Sequence, residues 1–123
     1  MDELAIGKEL GEEGFTKLVA EFYSRVRADD LLGPMYPQDD WEGAEKRLRD
    51  FLIFRFGVND RYIQERGHPR LGMRHAPFGI GLAERDRWLE LMRASLDKVD
   101  VSESVSKDLF AFLGQVAEFL RNR

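Results

Sequence analysis

The stretch that decides the fold is residues 102–120, SESVSKDLFAFLGQVAEFL. It shows Val105, Leu109, Phe112, Leu113, Val116, Phe119 and Leu120 at helical spacing. Steps of three and four place them on one stripe of an α-helix. Ser102 or Ser104 can cap the amino end, where a hydroxyl accepts from an otherwise unpaired amide. Three further stretches share the period. Phe15, Leu18, Val19, Phe22, Tyr23 and Val26 form one, which ends around Asp29–Pro34, where Gly33-Pro34 and then Pro37 break the ladder. Trp41, Ala44, Leu48, Phe51 and Leu52 form the next, opened by Asp39 or Asp40 and stopped at Gly57. The last runs from Leu82 to Val99 with Trp88, Leu89, Met92, Leu96 and Val99 on its stripe. The first ten residues suit a shorter, weaker helix before Gly11. No period-two alternation and no Asn-Gly hairpin occur, so the fold class is all-α.

The chain of 123 residues suits a single domain with one core, spanning 1–123. A formal net charge of −4 gives no basic excess to displace counterions from phosphates, so nucleic acid is not an expected partner. No cysteine is present, which excludes disulfides, iron–sulfur clusters and thiolate chemistry. With only His68 and His75 as nitrogen ligands, a multi-histidine metal site is not expected either. No apolar run approaches the ~20 residues of a membrane span, and the start Met-Asp-Glu-Leu lacks a basic leader. A cytoplasmic protein without membrane contact is the expectation. Nine phenylalanines in so short a chain can fill a core or line a cavity for a flat ligand.

Residues 57–81 differ from the rest. They hold five glycines (57, 67, 72, 79 and 81), two prolines and both histidines. Loops inside a compact domain have a median of about 4–6 residues, and much longer ones are usually functional. Leu71, His75 and Phe78 can share one face of a short helix. Taken alone, His75 is explained better by a hydrogen-bonded, partly buried histidine than by a metal ligand. Its surroundings add to the second reading. Residues 60–74 carry four arginines (61, 66, 70 and 74) against Asp60 and Glu65. Arg47 adds a further cation, beside apolar Leu48. Haem is a flat apolar ring with two carboxylates, and needs apolar walls, an axial ligand and cations at the rim. Phe22, Leu48, Phe51, Phe78, Trp88 and Met92 can supply walls; guanidinium groups suit carboxylates.

The run Gly67-His68-Pro69-Arg70-Leu71 through Met73-Arg74-His75-Ala76-Pro77-Phe78 resembles the proximal-histidine region of group II truncated haemoglobins. Phe22-Tyr23, Met35-Tyr36-Pro37, Asp39-Asp40, Ala44-Glu45, Arg47-Leu48-Arg49 and Glu84-Arg85-Asp86 before Trp88 are similar to that group in the same order. The matches span roughly residues 15–100 and are specific only together. Two departures stand out. Gly11-Glu12-Glu13-Gly14 replaces one glycine pair of the family, and Gly57-Val58 another.

The resemblance implies a two-over-two helical sandwich around haem b. It makes His75 the iron ligand, and Tyr23, Tyr36 and Trp88 the polar distal cluster that donates to a bound ligand. Ala44 takes the distal position where many globins carry histidine, with Leu48 one turn on and Phe51 and Leu52 beside it. Arg47, Tyr62 and Arg74 become candidates for the haem carboxylates, ahead of His68. Without a distal histidine, the sixth position is expected to be open to O2, CO or NO. The expected function is reversible binding of these ligands, for oxygen storage or transport, with NO dioxygenase-like or peroxidase-like side activity. A reductase and a second copy of the chain are the expected protein partners. A haem-free helical interaction module, and a haem-based gas sensor acting through a separate protein, are the competing readings.

Overall fold

Asp2, Asp40 and Ser102 each cap a helix, accepting from the amides of Ala5 at 3.1 Å, Gly43 at 3.1 Å and Val105 at 3.2 Å. Of the paired candidates, Asp40 and Ser102 therefore hold the cap positions. The computed structural model describes residues 1–123 and contains no strand. Its helices are α1 (Glu3–Ala28), α2 (Trp41–Arg55), α3 (Arg61–Arg66), α4 (Leu71–His75), α5 (Leu82–Leu96) and α6 (Glu103–Leu120), with a 3-10 turn at Gly33–Met35. α5 ends three residues before the expected Val99.

α1 is one continuous element only in outline. Gly11 sits at φ +63 and breaks the helical path, so a short amino-terminal helix and the long helix meet at a kink. A side chain at positive φ is strained, which is why glycine serves there. The segment 57–81, expected to be irregular, contains the two short helices α3 and α4. Six and five residues are too short to display a period, and each is fenced by turn residues. Gly57 and Gly67 both take positive φ at these junctions.

α1 packs on α2 and α5, and α6 packs on α5 and α1. The long helices thus form two layers of two, the sandwich expected from the resemblance. Phe15, Leu18, Val19, Phe22, Leu52, Ile53, Met92, Leu96 and Leu109 are almost completely buried between them. Phe56 bridges α1 and α6, stacking on Phe15 at 5.8 Å and meeting Phe112 edge-on at 5.2 Å. Polar ties sit at the ends. Asp29 accepts from the Leu31 and Leu32 amides and from Arg87 at 2.6 Å, joining the end of α1 to α5. Asp50, 3% exposed, receives Lys46 at 2.7 Å and faces Arg49 and Arg61, which ties α2 to α3. No helix is long and apolar enough to cross a membrane.

Candidate functional site

All six helices contribute to one cavity of about 510 Å³. Sixteen of its 23 lining residues are hydrophobic, so it suits a large apolar ligand with polar contacts at few points. Leu32, Met35, Ala44, Leu48 and Phe51 form one wall. Leu71, Phe78 and Ile80 form another, and Leu113, Val116, Ala117 and Leu120 of α6 close it.

His75, the last residue of α4, lies half-buried on this lining. Its Nδ1 is 2.7 Å from the Leu71 carbonyl oxygen. A carbonyl only accepts, so Nδ1 carries a proton and donates, and in the neutral ring Nε2 is the nitrogen with the lone pair. The approach to α4 is constrained. Arg70 has φ +46, a left-handed conformation uncommon outside glycine, and its amide donates to His68 Nδ1 at 3.2 Å. His68 is exposed and stands outside the cavity. No three His, Cys, Asp or Glu side chains converge as a metal cluster. His75 would hold a metal that arrives within a larger cofactor.

Tyr23, Tyr36 and Trp88 meet on the same lining. Tyr23 and Tyr36 rings stand edge-on with centroids 5.6 Å apart, and Trp88 packs on Phe22 at 4.9 Å. Burial pushes the Tyr23 hydroxyl well above the usual phenol range, and the facing Tyr36 adds to the shift. Burial raises Tyr36 too, opposed by the polar hydrogens of Tyr23 and Trp88 directed at its oxygen. The three polar groups thus converge at one place on the lining. Ala44, 5% exposed, presents only a methyl group here.

The rim carries cations. Arg47 pairs with Asp40 at 3.1 Å. Arg74 spends Nε on the Pro69 carbonyl at 2.8 Å and Nη2 on the Arg66 carbonyl at 3.3 Å. Arg85 pairs with Asp86 and Glu118. Arg66 alone lacks a partner on its guanidinium, and its Nε is buried without a hydrogen bond. A buried donor left unpaired is destabilising unless something accepts from it. Apolar walls, one available imidazole nitrogen and an orphaned guanidinium together fit a haem with its carboxylates.

The expected site residues His75, Arg47, Tyr62, Arg74, Leu48, Phe51, Phe78, Tyr23, Tyr36, Trp88 and Ala44 all lie on this cavity. Met92, Phe22 and Leu52 do not. Each is 0% exposed and packs within the core, because its stripe faces another helix. Of the nine phenylalanines only Phe51 and Phe78 reach the lining. The α6 wall and Arg66 were not assigned from sequence. Their only signals were the long apolar face of α6 and the arginine excess of residues 60–74.

A family model for bacterial-like globins matches residues 5–122. The group 2 truncated hemoglobin YjbI of Bacillus subtilis is 37% identical over 114 residues, covering 93% of this chain and 86% of that protein. The two-on-two hemoglobin-3 of Arabidopsis thaliana is 32% identical over 123 residues, covering 98% and 70%. Among solved structures, a thermostable hemoglobin from Thermobifida fusca superposes with a TM-score of 0.91 at 44% identity, covering 95% of this chain and 96% of that one. A truncated oxygen-avid haemoglobin from Bacillus subtilis gives 0.89 at 33% identity, covering 95% and 98%. The chain belongs to the bacterial-like globins. Within them it is a group II truncated haemoglobin, and so a haem protein that binds gas molecules.

Proposed function

We propose that residues 1–123 act as one domain that binds haem b through His75 and retains O2 as its principal ligand. The observation that carries this reading is the His75 Nδ1–Leu71 bond on the same cavity as three polar aromatic donors. Haem, when bound, supplies an iron with one open coordination position for O2, CO or NO. Every other contribution belongs to the chain. His75 presents Nε2 as an unprotonated base because its other nitrogen is engaged. Ala44 offers no imidazole, so nothing from α2 competes for the ligand position. Tyr23 and Tyr36 hydroxyls and the Trp88 indole N–H supply hydrogens to an electron-rich ligand. Each such bond contributes on the order of 0.5–1.5 kcal/mol net. Donors of that number favour retention over rapid delivery, in keeping with the oxygen-avid character named for the Bacillus subtilis relative. Leu48 and Phe51 exclude water and Phe78 adds an apolar wall; Tyr62, Arg47 and Arg74 stand at the carboxylate end. NO dioxygenase-like or peroxidase-like chemistry, a partner reductase and a cytoplasmic setting belong to the same reading.

Titration of the purified chain with ferric haem tests it. The expected result is a sharp Soret band saturating at one haem per chain, which shifts when the reduced protein meets CO. A colourless protein, or a spectrum equal to free haem, would sink the proposal.

A further inference from the structure

We propose that Arg66 is the anion-binding residue of the cavity mouth, and that its guanidinium takes a carboxylate of the bound haem. This rests on the haem reading above and adds a residue to it. Four arginines line the cavity, and their commitments separate them. Arg47 and Arg85 are already paired with carboxylates of the chain. Arg74 is turned to backbone carbonyls through two of its three nitrogens. Arg66 has no ion pair and no side-chain hydrogen bond, and its Nε is buried. Its Cζ lies 5.9 Å from the ring centroid of Tyr62, itself 3% exposed on the lining. That contact holds the planar fork beside the cavity, so little side-chain freedom is lost when an anion arrives.

The ligand chemistry is a carboxylate. A two-oxygen acceptor matches the guanidinium fork, and it satisfies the orphaned Nε. The backbone geometry also survives removal of the side chain. Arg74 bonds the Arg66 carbonyl, which any substitution leaves in place.

Natural haem and its dimethyl ester, whose carboxylates carry no charge, separate the outcomes. Each is loaded into the wild-type chain, Arg66→Gln and Arg66→Lys, and its loss to an excess of haem-free myoglobin is timed. The expected result is that Arg66→Gln speeds loss of natural haem about tenfold, within the range of a charge-assisted bond. Arg66→Lys should fall between the two. Loss of the ester should be the same from wild type and Arg66→Gln, and thermal unfolding of the haem-free chains should coincide. Equal acceleration for both haems, or none for either, overturns the assignment. A difference that persists with the ester and responds to added acetate assigns Arg66 to a free carboxylate, and overturns it as well. Failure of all three chains to take up haem defeats the haem reading itself, a distinct result.

Discussion

His75 Nδ1 and the Leu71 carbonyl oxygen lie 2.7 Å apart, one turn of α4 from each other. The bond assigns the imidazole proton and aligns the ring along a helix of only five residues. It makes the nitrogen that His75 turns to the cavity a property of local helix geometry. The rest of the site is assembled from distant segments around that point.

Loss of a distal donor is expected to speed ligand release. Tyr23→Phe, Tyr36→Phe and Trp88→Phe each delete one polar hydrogen and keep most of the apolar volume. At about 0.5–1.5 kcal/mol per bond, release of O2 should accelerate from about twofold to about tenfold. Stopped-flow displacement of O2 by CO reads this directly. Unchanged rates in all three variants would remove these groups from ligand retention.

Alkaline titration should show tyrosines that ionise late. Tyr23 and Tyr36 are raised above the ordinary 10.0, burial being the leading cause. The native value exceeds the unfolded one. Their contribution to stability is therefore complete below pH 10.0 and is lost as pH rises through the higher native values. Ultraviolet phenolate absorbance should rise together with unfolding, and Tyr23→Phe should remove one late component. Reversible ionisation of both in the folded chain at pH 10 would contradict the burial.

Acid stability should depend on Asp29. Burial pulls its carboxyl upward, but the Leu32 and Leu31 amides and the Arg87 guanidinium outweigh that and hold it below 3.8. Its contribution is complete above pH 3.8 and is lost as pH falls through the lower native value. Asp29→Asn should lower the thermal midpoint at neutral pH and flatten its decline at acid pH. A variant with the wild-type midpoint at both would show the tie between α1 and α5 to be inert.

Two glycines should respond in opposite directions to alanine. A Cβ on Gly7 would stand 2.2 Å from the Phe56 carbonyl oxygen, so α1 and the end of α2 must part. Overpacking of that kind destabilises by about 1–3 kcal/mol. Nothing lies within 4 Å of a Cβ on Gly114 inside α6. Gly114→Ala should stabilise by about 0.5–1 kcal/mol. Urea unfolding of the two variants provides the comparison.

The long helices were legible because each buries a stripe against a neighbour, and burial enforces the period. α3 and α4 were not, since six and five residues complete too few turns to repeat anything. The place of Tyr23, Tyr36, Trp88 and His75 on one cavity followed from the family resemblance, and periodicity alone left them as core or loop residues. Met92 was misplaced for a physical reason. A helix stripe facing the core and a stripe facing a cavity have the same spacing, and only packing separates them. Arg66 was hidden among similar arginines. Its distinction is the absence of a partner, which no sequence displays.

The measurement that bears most directly on His75 is imidazole rescue of His75→Gly. The predicted result is that the variant folds but fails to reproduce the wild-type haem spectrum, and that added imidazole restores it by filling the vacated ring position. A His75→Gly protein with the full wild-type spectrum and no imidazole would contradict the assignment of His75 as the iron ligand.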